Sequence, residues 1–473
     1  MRSVPWPSCL IKTRVKSGAA LLLFCLSLSC AASFRLPSTP SGNVMDEFLE
    51  AYNTGKFTPV AAFFGRHGSK ERATERAQWV MGFLYPGVRR FVPIEVLDSK
   101  PEAITVLGHS ELTEAWYRFI IEVDSLPPHG VAFGFENADP PKGRQGREED
   151  IATYLRRLEN ADFFSGAVMV ADGERTIFTR TYGSVMGLDT QINLGSANKM
   201  FTAVAIMQLV EQGKLDLNTP VGRYLPDLPN PDIKDRVTIH HLLTHTSGVG
   251  DFMNPSYSAR KKEIRTVAEL LPFFVSDSLA FDPGAKWQYS NGGYALLGRV
   301  IEVVSGQSYE EYVQQHVFAP AGMTRTSGAP REPYAHGYTF MRKGGAIALT
   351  REVNDFALGA QGTPAGGGYS TVGDLVSFAR ALRTGNLVSK ESLDRMLTPR
   401  ISTDRNTQYG YGFELRTQDG ETVYGHNGHH FGISAQFDVY KESGTIVAVL
   451  SNYDPPVAPV TAARIGQLIA LKP

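Results

Sequence analysis

Cysteine is nearly absent from this chain of 473 residues, and the three present, Cys9, Cys25 and Cys30, all fall near its start. That excludes an internal disulfide framework, a cysteine nucleophile within the fold and a cysteine-ligated zinc site. Charge of one sign is lacking too: 47 Lys and Arg stand against 48 Asp and Glu, a net charge of −1. Such a balance offers nothing to a nucleic-acid partner or a strongly acidic one. Long apolar runs are missing: the longest, Gly18 to Cys30, is shorter than the ~20 residues a helix needs to cross a bilayer. Sustained heptads and internal repeats are also lacking.

What is present begins with a leader. Arg2, Lys12, Arg14 and Lys16 precede the apolar run, and Ser29, Ala31 and Ala32 follow as small residues, so residues 1–31 read as a secretory signal peptide. The expectation is a secreted or periplasmic protein. Cys30 raises lipidation as a weaker alternative, because Leu28 stands one place nearer to it than a lipobox leucine usually does.

A length of 473 residues with 42% hydrophobic composition suits two domains. Pro140 to Arg147 is a succession of proline, glycine and charge, which makes 139–149 the expected linker. Residues 42–138 before it show helical spacing over Asn43 to Asn53, Thr58 to Phe64 and Lys70 to Phe83. Strand-like runs follow at Arg90 to Leu97, Ala103 to Leu107, Ala115 to Val123 and Val131 to Phe135. This predicts a small α+β accessory domain that resembles the cone-shaped nuclear-transport-factor-like fold. Gly108-His109-Ser110 begins like a nucleophile elbow, but Leu112 stands where the second glycine is needed.

In residues 150–473 a helix, Glu149 to Leu158, leads into a hairpin, Gly166 to Ala171 and Thr176 to Tyr182, around Asp172-Gly173. Strands return at Tyr409 to Leu415, Ile433 to Tyr440 and Thr445 to Ser451, before a last helix from Val457 to Leu471. Strands at both ends with helices between them predict one antiparallel sheet flanked by terminal helices, plus a helical subdomain.

Ser196-Ala197-Asn198-Lys199 lies where an extended run, Ile192 to Gly195, gives way to the helical pattern Met200 to Glu211. Three residues are nearly one helical turn, so Lys199 can reach the Ser196 hydroxyl, beside unpaired N–H groups that favour an oxyanion. A lysine at its ordinary pKa is a poor base, and desolvation by apolar neighbours such as Met200, Phe201 and Val204 is the means of lowering it. The plain alternative is a helix cap with an incidental lysine. Ser258-Ala259-Arg260-Lys261 has the same spacing without strand or buried helix around it, and reads as solvated surface.

Tyr289-Ser290-Asn291, ahead of Gly292-Gly293, places a phenol and a carboxamide two residues apart. In a turn both can face one cleft, where Tyr289 can relay a proton and Asn291 can bond Lys199 and a substrate amide. Otherwise they are a buried tyrosine and an Asn-Gly turn. His426-Asn427-Gly428-His429 has a glycine that permits close backbone approach, so a substrate could lie alongside it as an added strand.

In their order, Ser196 to Lys199, Tyr289 to Asn291 and His426 to Gly428 resemble the S-x-x-K, Y-x-N and K/H-x-G signature of the serine β-lactamases and penicillin-recognising hydrolases. The similarity takes in His241 to Gly248, Asn291 to Met323 and Ala365 to Asp374. It implies Ser196 as acylated nucleophile, Lys199 as its base, Tyr289 as proton-transfer partner, Asn291 and His426 as further catalytic-site residues, and an oxyanion hole of the Ser196 and His429 N–H groups at Gly428. No cofactor and no metal are implied. Class C β-lactamases usually carry lysine where this chain has His426, and histidine resembles the D,D-peptidases, D-aminopeptidases and esterases of the group. Lys343-Gly344-Gly345 fits the lysine form but sits off the expected strand, and His429-His430 departs from the small residues usual there. His241 and His245 have zinc-pair spacing, but Leu242 stands where a zinc hydrolase places glutamate.

The expected protein is a serine hydrolase of small esters or D-amino-acid peptides, with β-lactam-like compounds as poorer substrates, no nucleic-acid partner, and cell-wall or membrane-surface association as an open expectation. The alternatives are a class C-like β-lactamase and a non-catalytic cell-wall binder or sensor.

Overall fold

The computed structural model describes residues 34–68, 70–124, 131–138, 148–185, 187–342, 347–354, 356–403, 407–418 and 420–470. The expected leader with its three cysteines, most of the expected linker and Lys343-Gly344-Gly345 lie outside the described residues. Leu36–Pro473 forms one compact unit.

Helices Pro40–Asn53, Phe57–Arg66 and Lys70–Trp79 come first, the last running on through a π-helical turn, Val80–Leu84, to Tyr85–Val88. Four antiparallel strands follow in sequence order, Phe91–Lys100, Ala103–Ser110, Trp116–Val123 and Val131–Ala138. Phe48 is fully buried where helix meets sheet, with its ring centroid 4.5 Å from Phe133 and 5.3 Å from Phe63. Ser110 is buried in this sheet and accepts from Thr113 N, so Gly108-His109-Ser110 is strand and not a nucleophile elbow.

The larger part is built on an eight-stranded antiparallel sheet. Its order is Ile401–Ser402, Gln408–Tyr409, Glu414–Gln418, Glu421–His430, Ile433–Tyr440, Thr445–Ser451, Gly166–Asp172 and Arg175–Tyr182. The hairpin from early in this region thus pairs with the last strand in sequence, Ala448 lying opposite Met169. Strands Ile433–Tyr440 and Thr445–Ser451 are buried at every residue, because both faces are covered. Helices Glu148–Asn160 and Val457–Ala470 pack on one face, through Leu155, Leu158, Ala462 and Ile465 against Val168, Val170, Val447 and Val449. The other face meets helices Lys199–Glu211 and Val372–Arg383, and Asn291–Ser305 packs on the first of these.

Three sequence expectations shift by a few residues for physical reasons. The run Tyr409 to Leu415 is two strands, broken at Gly412, whose φ of +78° and closeness to Ala203 no other residue fits. The strand expected to carry His426 to Gly428 runs over Glu421–His430, between Glu414–Gln418 and Ile433–Tyr440. The Lys199–Glu211 helix is buried from Lys199 through Leu209, so it is a core helix with no polar face.

Glu114, in the turn between strands Ala103–Ser110 and Trp116–Val123, accepts from Arg157 and Arg464 on the helices Glu148–Asn160 and Val457–Ala470, both at 2.7 Å, and ties the two sheets' layers together. Removing the ring at the centre of the first layer tests that packing. Phe48→Ala should lower unfolding stability by about 3–5 kcal/mol in a urea titration; a loss under about 1 kcal/mol would contradict it.

Candidate active site

Ser196 is only half-buried, whereas the other residues from Gln191 to Met200 are buried. It sits in a 3₁₀ turn, Gly195–Asn198, that leads directly into the core helix. Asn193 sets the turn, its Oδ1 accepting from Gly195 N at 2.9 Å and its Nδ2 donating to Gly367 O at 2.9 Å. Leu194 N donates to Gly368 O and Gly367 N to Gly195 O, so the glycine-rich segment 365–368 clamps the serine loop.

Lys199 Nζ lies 3.2 Å from Ser196 Oγ, 2.8 Å from Asn291 Oδ1 and in contact with Ala365 O. It is fully buried, and desolvation lowers its pKa to about 7 against the opposing pull of the Asp251 and Glu414 carboxylates. Relative to the ordinary 10.5, that is roughly 5 kcal/mol in favour of the neutral amine. A neutral amine has two N–H bonds and one lone pair. Asn291 Oδ1 and Ala365 O accept the two hydrogens, and the lone pair is left to accept from the Ser196 hydroxyl.

Tyr289 has its ring centroid 4.6 Å from Lys199 Nζ. Burial raises its pKa far above the ordinary phenol value while the Ser196 side chain pulls the other way, so it stays a neutral proton donor. Among the described residues its buried hydroxyl makes no hydrogen bond of regular geometry. His245 fixes the ring, stacking on it at 4.3 Å while its Nδ1 accepts from Ser290 N at 3.1 Å. His245 lies past the end of the short helix Ile239–Leu243, at φ +58°, and burial, then Lys199 and His426, hold its pKa well below 6.5. His241 is part of that helix's cap instead, accepting from Thr238 N, so the two histidines serve separate structural ends.

The turn that brings phenol and carboxamide to one cleft is a helix start: Ser290 caps the helix and Asn291 is its first residue. Asn291 Nδ2 donates to Asp251 Oδ2 at 2.8 Å, and its backbone N donates to the same oxygen. The amide nitrogen is therefore held by Asp251 and not turned to a substrate, and this holds Oδ1 on Lys199. Asp251 is a residue the sequence reading missed; its signal was slight, an acid three residues after the His241 to Gly248 stretch.

Strand Glu421–His430 pairs with Glu414–Gln418 only as far as Gly425, so beyond it that edge is open toward Ser196. A Cβ on Gly428 would come within 1.8 Å of Leu194 O and 3.1 Å of Ser196 N. A Cβ on Gly195 would meet His429 N at 2.8 Å. The two glycines thus let the strand touch the serine loop and bring the backbone nitrogens of Ser196 and His429 to one spot. His426 is not on the cleft surface: it is buried, its Nε2 3.0 Å from Tyr409 Oη and its Nδ1 2.6 Å from Asn427 O. His430 is held near pKa 4 by burial and by Lys261, and so is neutral at ordinary pH.

These groups open on a cleft of about 1360 Å³, lined by Ser196, Tyr289, Asn291, Glu414, Asn427 and His429 among others. Ser258, Ala259 and Lys261 also line it, so the stretch expected to be plain surface is cleft wall. Among the described residues no cluster of His, Cys, Asp and Glu suits a metal ion.

An antiparallel sheet between helical layers, with a serine and a desolvated lysine at a helix start, defines a class of protein. The beta-lactamase family model matches residues 151–472, and the chain belongs to that family. A penicillin binding protein from Bacillus halodurans has a similar solved structure (TM-score 0.60, 32% identity, 66% of this chain and 98% of that one). So does a D-stereospecific amidohydrolase from Streptomyces sp. (TM-score 0.56, 28% identity, 68% and 97%). Esterase EstB of Burkholderia gladioli is 29% identical over 305 residues, covering 56% of this chain and 74% of its own length.

Because Lys199 is a base only when unprotonated, labelling of Ser196 by a fluorophosphonate probe should speed up as pH rises through about 7 and fade below it. A rate that climbs only near pH 10 would contradict the desolvated lysine. Gly428→Ala should slow labelling by about 10² or more, by displacing the strand from the serine loop; an unchanged rate would show that the contact is dispensable.

Proposed function

We propose that this protein is a serine hydrolase that cleaves small esters or D-amino-acid amides and peptides through an acyl-enzyme on Ser196. The observation that carries this reading is the threefold setting of the Lys199 amine, whose two acceptors leave its lone pair to the Ser196 hydroxyl.

In the first step Ser196 Oγ bonds to the substrate carbonyl carbon and its proton passes to Lys199. The oxyanion is received by the N–H groups of Ser196 and His429. As the bond to the leaving group breaks, the neutral Tyr289 phenol donates a proton to that oxygen or nitrogen and regains one from Lys199. Water then attacks the acyl carbon, its proton returns through the same groups, and Ser196 is restored. His426 acts from below, holding Tyr409 beside His245 and Tyr289.

Esterase and D-amidase activity in relatives supports the substrate class, as does the absence of a lysine at position 426. The leader sequence supports a secreted or periplasmic setting, where cell-wall fragments and D-amino-acid compounds are at hand. Hydrolysis of a p-nitrophenyl ester, a chromogenic cephalosporin and a D-Ala-D-Ala peptide should rank the ester or peptide above the cephalosporin. Ser196→Ala should lower turnover of the best of them by about 10⁴ or more. Undiminished turnover in that variant would remove the assignment.

A further inference from the structure

Met253 has no part in these steps, yet it lines the cleft and is 51% exposed. Its Sδ lies 3.5 Å from Asn291 Nδ2, while the carbonyl oxygen of that same carboxamide holds Lys199. The backbone around it is pinned to the catalytic turn. Ser290 Oγ donates to Gly250 O at 2.9 Å, Asn291 N and Nδ2 donate to Asp251 Oδ2, and Met253 N donates to Asp251 Oδ1 at 2.9 Å. Asn254 closes the segment, its Nδ2 donating to Phe273 O and its Oδ1 accepting from Tyr257 N, both at 2.9 Å. One carboxylate thus places both the carboxamide that holds the base and the methionine beside it.

A methionine offers carbon and a thioether: no charge, no donor, and a sulfur that accepts only weakly and is here turned to Asn291. Single exposed apolar side chains are ordinary on an open surface. This one stands on the wall of a cleft, next to the group that sets the base, where a bound substrate covers it. Covering it stabilises the complex only when the group that does so is itself apolar. Phe252 and Tyr257 line the same cleft, with ring centroids 5.0 Å apart, and continue the apolar surface behind it. The side chain is unbranched and adaptable, so it can fit chains of different shape. Direction follows from the proposed steps. The leaving group ends at the Tyr289 phenol and the oxyanion at the Ser196 and His429 N–H groups, which leaves the acyl chain the side of Asn291 and Met253.

Building on the hydrolase reading, we infer that Met253 is a specificity-determining residue on the acyl side, where it receives an apolar carbon chain attached to the scissile carbonyl and so favours longer acyl groups over acetyl.

The test compares p-nitrophenyl butyrate with p-nitrophenyl acetate, each rate corrected for the ester's own hydrolysis by hydroxide. A fully buried methylene is worth about fourfold, so two of them against a wall that stays partly open should raise kcat/KM by about fivefold or more in the wild-type enzyme. Two methylenes added on the alcohol side, in butyl against ethyl acetate, should change it by less than about twofold. Met253→Gln, of similar size but polar, should bring the butyrate to acetate ratio below about twofold, whereas Met253→Leu should keep it above that. Each ratio is taken within one enzyme, so a general loss of activity cancels. A wild-type ratio below about fivefold overturns the inference, as does an alcohol-side gain of about twofold or more, and neither needs a variant that folds. A ratio that stays above about twofold in Met253→Gln, or falls below it in Met253→Leu, overturns it too. Failure to hydrolyse any of the four esters would instead strike the hydrolase reading itself.

Discussion

The burial of one amine governs this structure. Lys199 is the only charged residue between Asn198 and Val210, at the first turn of a helix that the core encloses on all sides. Water cannot solvate its ammonium there, and the groups that touch it are neutral oxygens, so the deprotonated form is favoured near pH 7. Everything around it serves that state. The segment 365–368 gives a carbonyl to the amine and clamps the serine loop, and Asp251 turns the Asn291 carbonyl toward it.

The second constraint is backbone proximity. A strand from near the end of the chain must come close enough to the serine loop for two N–H groups to serve one oxyanion, and side chains at positions 195 and 428 would hold the two apart. Glycine at both, and a partner strand whose pairing ends opposite Gly425, leave an open edge beside Ser196. The same strand carries Asn427 into the cleft and His426 away from it, as its alternation requires. Reactive serine and cleft wall are thus set by one register.

Much of this was legible in the sequence. The strand-like runs Ile433 to Tyr440 and Thr445 to Ser451, the period of Asn43 to Asn53 and the Asp172-Gly173 turn are local signals, and their elements stand where they were expected. Ser196 and Lys199 were legible because one helical turn fixes their separation. The less legible features depend on partners distant in the chain. Asp251 meets Asn291 across 40 residues, and Glu414 is an ordinary acid until Asn427 is seen beside it. His426 shares the motif position, but its inward direction follows from Tyr409, on the strand Gln408–Tyr409 of the same sheet. Ser258 to Lys261 looked like solvent-facing surface because its polarity is the same whether it faces bulk water or a wide cleft.

The desolvated amine can be observed directly, without substrate. In a ¹⁵N NMR titration of lysine side chains in the full protein, with Lys199→Met as the assignment control, one amine should titrate close to pH 7 and vanish in the control. Titration of every lysine near pH 10 would mean that Lys199 is charged at neutral pH, and the account of Ser196 activation would fall.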